Sequence, residues 1–284
     1  MHIGIITCEI LRKEIRALVQ RAGVRDLYFV VPDAANSVTV VFYQRIIERF
    51  VQEFEGDNVV IRTNTLPRIR KEIEKRELSD SVILKVLELR MHDRPYDLRL
   101  EIKDGIERMG AFVDLIVLGY GLCGSTEQEL ERLIAEATIP VRIPRDSSGK
   151  ILNNCIEITL SRERVRELMA DEVGTFFMTP VGASLIKEPQ VILESTINIM
   201  AGKKMKPYAV GDTRRVLQLM KNHYHRVVKI VNSEADERDN EYAETVERFA
   251  TKFNLEIKQE QGFETVLSDL LDAEKERKEN HQLS

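Results

Sequence analysis

The stretch of sequence that decides the fold is residues 114–126, DLIVLGYGLCGST. Its apolar run from Leu115 to Gly119 shows no alternation, which is typical of a strand covered on both faces of a parallel sheet. A loop with glycines at 121 and 124 follows, and a helical pattern begins at Thr126. A strand, a glycine-containing loop and a helix in this order indicate an α/β fold.

The same alternation extends outward from this stretch in both directions. The sequence predicts further strands at 3–7, 27–31, 59–62, 141–144, 156–160, 175–178, 227–231 and 255–259. It predicts helices at 9–22, 38–55, 99–109, 126–137, 162–171 and 241–253. Because such alternation implies parallel strands joined by right-handed crossovers, we expect a layered, Rossmann-like, mostly parallel sheet with helices on both faces.

Residues 68–109 are the longest segment of the first half without a predicted strand. Thr65 is placed to cap a helix there, and Pro67 suits the first helical turn. We interpret the segment as helix-rich and expect it to form a cap over the carboxyl edge of the sheet. The expected domains are a main α/β domain at 1–180, and at 181–284 a helical connection, a smaller αβ unit and a charged C-terminal tail.

The composition excludes several functional classes. A net charge of −5 over 284 residues gives no reason to expect a nucleic-acid partner, which usually requires a basic face. No segment approaches the roughly 20 apolar residues that cross a bilayer. The first residues lack the features of a signal peptide, so we expect a cytoplasmic protein. Three cysteines, an odd number, in a reducing compartment argue against a disulfide framework.

Each of the three cysteines follows a predicted strand. Cys8 comes after the strand at 3–7, Cys123 lies in the loop after Leu115 to Gly119, and Cys155 lies beyond the strand at 141–144. Since the carboxyl ends of parallel strands meet at one edge, the three thiols are predicted to converge there. Three thiolates with one open coordination position suit zinc or an iron–sulfur cluster. The alternative is three unconnected, buried cysteines, because their spacing matches no compact metal motif.

The loop around Cys123 is predicted to shape the same site. Gly119, Gly121 and Gly124 would allow a ligand to approach the backbone closely, with Tyr120 and Glu9 as nearby polar groups. The loop also matches the bare G-x-G-x-x-G string of dinucleotide-binding proteins. No acidic residue ends a following strand at the expected distance, which disfavours a dinucleotide and leaves phosphate or another anion open.

Several segments together resemble the domain of unknown function 1638 family, an uncharacterised family found mainly in methanogens and other anaerobes. The matching segments, in the family's order, are residues 8–11, 118–124, 143–145, 155–156, 161–164 and 174–180. The resemblance runs from the N-terminus to about residue 270 and implies a cysteine at each of the three positions. The family pattern has a His-Asp pair before the third cysteine, where this chain has Asn153 and Asn154 after an apparent insertion at 146–152.

The resemblance also implies a metabolic setting, because family members often occur beside genes of corrinoid-dependent methyltransferases. Our main hypothesis is a metal- or iron–sulfur-binding protein of anaerobic one-carbon metabolism, active in redox activation, cofactor handling or methyl transfer. A corrinoid protein or a methyltransferase would be its partner. One alternative is a zinc-thiolate methyl- or acyl-transferase. Another is a non-catalytic module that binds a phosphate-bearing or corrinoid ligand in the Gly119 to Gly124 loop.

Overall fold

The structure contains two parallel sheets. It is a computed structural model that describes residues 1–33, 37–87, 91, 94–186 and 223–272, with the backbone alone for 37–42 and 185–186. Within the described residues the larger sheet has six strands and the smaller has three, and their neighbouring strands pair in parallel. The expected α/β class, a parallel sheet with helices around it, is confirmed. Among the described residues, no helix combines the length and apolarity that a membrane crossing needs.

The chain divides into two compact units, of which the first comprises residues 1–88, 95–154 and 264–284. Its elements, in chain order, are β1 (His2–Cys8), a 3-10 turn (Glu9–Leu11), α1 (Arg12–Ala22), β2 (Asp26–Val30), α2 (Ser37–Glu53), β3 (Val60–Asn64), α3 (Leu66–Arg76), β4 (Ser81–Leu87), α4 (Pro95–Met109), β5 (Leu115–Gly119), α5 (Glu127–Ala135) and β6 (Val141–Arg142). The strand order in the sheet is β3-β2-β4-β1-β5-β6.

This strand order creates a switch point between β1 and β5. From β1 the chain moves through β2 to the edge strand β3, and it then returns through β4 to β5 and β6 on the other side. With right-handed crossovers, α1 and α2 cover one face of the sheet, and α3, α4 and α5 cover the other. The connections after β1 and β5 therefore leave in opposite directions. Parallel sheets form their ligand crevices at such a point, outside the carboxyl ends of the strands.

The core explains why β1 is central. Ile5 and Ile6 of β1, Leu84 of β4, and Val117 and Leu118 of β5 are fully buried. These side chains point to both faces of the sheet, so each face needs a covering layer of helices. The absence of alternation in these strands is the sequence signature of this double coverage.

The interpretation of residues 68–109 as a helix-rich segment without a strand is wrong, because β4 lies within it. Residues Ser81–Leu87 form a buried strand between β2 and β1, and α3 and α4 are the crossover helices on either side of it. They are not an added cap over the sheet edge. Thr65 does precede α3, with Pro67 in the first turn, but its side chain makes no capping hydrogen bond. Residues 88–90 and 92–93, which follow β4, lie outside the described residues.

The second unit comprises residues 89–94 and 155–263. Its described elements are α6 (Cys155–Leu160), α7 (Arg162–Asp171), β7 (Thr175–Met178), α8 (Pro180–Ile186), β8 (Arg226–Val231), α9 (Glu234–Glu237), α10 (Asn240–Phe253) and β9 (Glu256–Gln261). The strand order is β7-β8-β9. The sequence suggested a boundary near residue 180, whereas the units divide after Asn154, because β7 pairs with β8.

The predicted strand at 156–160 is wrong, because these residues form the helix α6. Its β-branched residues and its alternation resemble a strand pattern, but Ile156 and Leu160 are one helical turn apart and pack in one apolar cluster with Val228 and Ile230 of β8. The hydroxyl of Thr159 donates to the carbonyl of Cys155 at 3.0 Å, a bond typical of a helix. Most of the expected helical connection, residues 187–222, and the charged tail, residues 273–284, lie outside the described residues.

Candidate functional site

The candidate site begins where β1 and β5 end side by side. Thr7 is paired with Gly119 in the register of these strands. The Thr7 hydroxyl is 3.1 Å from the Gly119 carbonyl oxygen and 3.2 Å from the Cys8 carbonyl oxygen, within hydrogen-bond distance of both. A side chain at Gly119 would collide with the same hydroxyl. The end of the strand that carries Cys8 is thus held tightly against the start of the glycine-containing loop.

The loop after β5 packs on residues 152–154. The backbone N–H of Leu122 donates to the Leu152 carbonyl at 2.8 Å, and that of Cys123 donates to the Asn153 carbonyl at 2.9 Å. A Cβ on Gly121 would lie 2.6 Å from the backbone nitrogen of Asn154. We expected Gly119 and Gly121 to admit a ligand, but the atoms that approach them belong to the protein.

Positive φ angles occur at the end of this loop. Gly124 has a φ of +86°, as expected for a glycine, and Cys123 has a φ of +44°. For a residue with a Cβ this conformation costs roughly 1–2 kcal/mol. Sparsely populated backbone conformations are concentrated at functional sites, where the surrounding structure holds them in place. Cys123 is therefore held at the edge of the sheet in a conformation that the sequence alone does not favour.

The three cysteines differ in burial and location. Cys8 is buried, with 2% of its surface exposed, whereas Cys123 and Cys155 are half-buried. None of the three belongs to a disulfide. Cys8 and Cys123 lie in the first unit, and Cys155 is the first residue of α6 and of the second unit. Within the described ranges, no group of three or more His, Cys, Asp and Glu side chains is arranged to hold a metal ion. Convergence of the three thiols stays a prediction.

Of the two predicted polar groups, Tyr120 is a core residue with 1% exposure. Glu9 is also buried, and its carboxylate accepts a hydrogen bond from Nη1 of Arg49 at 3.1 Å. Glu9 is therefore one half of an ion pair between the turn after β1 and helix α2. Its charge is compensated within the protein.

The structure adds Arg12, the first residue of α1, which the sequence did not single out. Its side chain is 7% exposed, and its Nε and Nη1 atoms have no hydrogen-bond acceptor among the residues that the structure describes. Burial lowers the pKa of Arg12 below its ordinary value, and the Glu53 and Glu9 carboxylates oppose that shift. One signal was present in the sequence: a cation in the first turn of a helix is unfavourable beside the positive end of the helix dipole.

The amino end of α5, directly after the glycine-containing loop, is satisfied by the protein itself. The Thr126 hydroxyl accepts from the backbone N–H of Glu129 at 3.3 Å, and the Glu129 carboxylate accepts from the Thr126 N–H at 2.8 Å. In a dinucleotide fold this position holds the pyrophosphate. A carboxylate already occupies it here, which argues further against a dinucleotide at this loop.

The comparison with known families agrees with the resemblance seen in the sequence. A family model described as protein of unknown function (DUF1638) matches residues 86–271, about two thirds of the chain. The matched range contains Cys123 and Cys155, and it begins near the end of β4, so Cys8 and Arg12 precede it. No curated protein and no solved structure matches the chain.

Proposed function

The chain belongs to the DUF1638 family of proteins of unknown function, and we propose that it binds a metal ion or an iron–sulfur cluster through Cys8, Cys123 and Cys155. In this proposal it is a cytoplasmic protein of anaerobic one-carbon metabolism. It acts in redox activation, cofactor handling or methyl transfer, with a corrinoid protein or a methyltransferase as its partner.

The observation that carries the proposal is the adjacency of β1 and β5. Cys8 ends one of these strands, and the loop with Cys123 follows the other, at the switch point of the sheet. Ligands of parallel α/β proteins bind at this position. Asn153, whose carbonyl accepts from the N–H of Cys123, precedes Cys155 by two residues in the chain. This short separation supports Cys155 as the third ligand.

The chemistry of the thiols fits this role. Thiolates prefer soft metals, and three of them leave one position of a tetrahedral zinc ion, or one iron of a four-iron cluster, without a cysteine. That position is where a substrate or an exchangeable ligand binds. A cluster would supply one-electron chemistry, and zinc would activate a bound water or thiolate.

The test is metal and acid-labile sulfide analysis of full-length protein purified without oxygen. We expect about one zinc, or the iron and sulfide of one cluster, per chain. Cys8→Ser, Cys123→Ser and Cys155→Ser should each lower that content, because serine is a poor ligand for soft metals. Thr7→Ser is the matched control, since it changes the end of the same strand but keeps the hydroxyl that bridges β1 and β5.

Two results would contradict the proposal: background levels of zinc, iron and sulfide in the wild-type protein, or unchanged metal content in all three serine variants. The colour of the protein separates the two forms of the proposal. Broad visible absorption indicates a cluster. A colourless protein with stoichiometric zinc favours the alternative of a zinc-thiolate methyl- or acyl-transferase.

A further inference from the structure

We propose that the amino end of α1 binds a single oxyanion group, the phosphate or carboxylate of a small molecule, with Arg12 as its main protein ligand. This site does not depend on the metal proposal, because no thiol takes part in it. It lies within the first unit and involves the turn after β1, helix α1 and the second half of helix α2.

The first observation is the state of the Arg12 side chain. Arg12 is 7% exposed, and its Nε and Nη1 atoms are buried and have no acceptor among the described residues. An arginine cannot escape this situation by losing its proton. A buried charge whose donors are unsatisfied is costly, and proteins normally pair it. These two nitrogens carry three N–H bonds in total. An oxyanion would accept hydrogen bonds from them.

The second observation is the end of the helix on which Arg12 lies. α1 has eleven residues, and the residue before it, Leu11, has no side-chain atom that could cap the first turn. Arg12 adds a positive charge to the positive end of a helix dipole, and the buried Glu14 is the acidic residue of the same first turn. The 3-10 turn Glu9–Leu11 runs directly into this end of α1, so the unsatisfied donors of the Arg12 guanidinium, and not free backbone N–H groups, would hold the anion.

The neighbouring charges limit the size of the ligand. Arg49 already binds the Glu9 carboxylate, at 3.1 Å. Glu53 is close enough to act on Arg12 electrostatically, but no hydrogen bond joins the two among the described residues. Two arginines and two carboxylates thus offset one another before any ligand binds, and the buried Glu14 adds a further carboxylate to the first turn of α1. We infer one oxyanion group and not a polyphosphate, because the cluster has no surplus of positive charge for a polyanion.

The experiment is thermal unfolding of the full-length protein with inorganic phosphate, or separately with acetate, at a constant ionic strength set by sodium chloride. We expect at least one of these anions to raise Tm in a concentration-dependent way, since it binds the folded state. A response to phosphate alone assigns a phosphate-bearing ligand, and a response to acetate alone assigns a carboxylate.

Arg12→Met is the decisive variant, because methionine replaces the buried charge with an apolar side chain. We expect a higher Tm than wild type without anion, and a dissociation constant for the anion raised at least about tenfold. Arg16→Met is the matched control one turn further along α1: its guanidinium already donates to Asp57 at 2.8 Å. That control should lose stability and keep the anion response.

Three results would overturn the inference. They are the absence of a Tm response to both anions, an undiminished response in Arg12→Met, and an Arg12→Met protein less stable than wild type. The last result would mean that the guanidinium already has its partners. Cys123→Ser separates this inference from the metal proposal, because the anion response should survive in that variant.

Discussion

At the scale of single residues, Gly121 shows how tightly the candidate site is built. Its missing Cβ leaves room for the backbone of residues 152–154, and these atoms cannot rotate away as a side chain could. Through this contact the loop keeps Cys123 beside the segment that leads to Cys155. The glycine is needed for packing, because its own φ is not positive.

We therefore predict that Gly121→Ala lowers the free energy of unfolding by about 1–3 kcal/mol, as overpacking does elsewhere. The metal content of this variant should also be lower than that of the wild type, because the loop that carries Cys123 must shift. Gly149→Ala is the control: nothing lies within 4 Å of its Cβ position, but its φ is +85°. Gly149→Ala should lower the free energy of unfolding by roughly 1 kcal/mol, from backbone strain alone. Equal urea stability of Gly121→Ala and wild type would refute the packing argument.

A second residue-scale prediction concerns pH. Hydrogen bonds from Arg16 and Gln20 lower the pKa of Asp57 below its ordinary value. A carboxylate of this kind stabilises the fold above its unfolded-state pKa of about 3.9, and that contribution is lost as the pH falls through the lower folded-state pKa. Asp57→Asn should thus lower Tm at neutral pH, and the difference from wild type should shrink below about pH 4. A difference that is constant over pH would contradict this assignment.

At the scale of elements, the prediction from sequence succeeded where local patterns and packing agree. β5 and β7 have the predicted bounds, and so does α7, whose first turn is capped by the Ser161 hydroxyl. β4 was missed because Lys85 interrupts its apolar run. In the fold, Lys85 buries its stem and reaches Glu101 at 3.0 Å. Sequence periodicity cannot detect such a partner on a neighbouring helix.

The sequence also predicted part of the candidate site: the positions at strand ends, but not the contacts between distant residues. Strand-end positions correctly located Cys8 and the Cys123 loop at neighbouring strands. The roles of Gly119 and Gly121 depend on contacts with Thr7 and with residues 152–154, which no local pattern reveals. Arg12 was missed for the same reason, because its burial depends on the tertiary structure and no local pattern reveals it.

A prediction at the element scale concerns α6, which was mistaken for a strand. Glu157 in α6 pairs with Arg162 of α7 at 3.0 Å, and both side chains are almost fully buried. We predict that Glu157→Gln lowers the free energy of unfolding by about 3–5 kcal/mol, because it removes the carboxylate charge that faces a buried guanidinium. The double variant Glu157→Met, Arg162→Met should recover much of this loss.

The control for that prediction is Glu234→Gln, which breaks the exposed pair of Glu234 with Arg238. Exposed pairs of this kind contribute about 0.5 kcal/mol or less. Urea unfolding of the four proteins measures the effect. If Glu157→Gln and Glu234→Gln lower the free energy of unfolding by similar amounts, the buried pair of Glu157 and Arg162 does not stabilise the second unit as proposed.

At the scale of the whole molecule, the family match and the fold divide the chain differently. The match begins at Val86, near the end of β4, and extends through both units to residue 271. β1 precedes the match, yet it is a central strand, paired with both β4 and β5. The proposed metal ligands therefore come from three parts of the chain: the segment before the match and one part of each unit within it.

The central claim is that these three parts contribute thiolates to one metal centre. X-ray absorption at the metal edge of anaerobically purified, full-length protein tests it most directly. The account predicts three cysteine sulfur ligands, at about 2.3 Å for zinc, and the loss of one sulfur in Cys155→Ser. A metal with only nitrogen and oxygen ligands, or a sulfur count unchanged by Cys155→Ser, would contradict it.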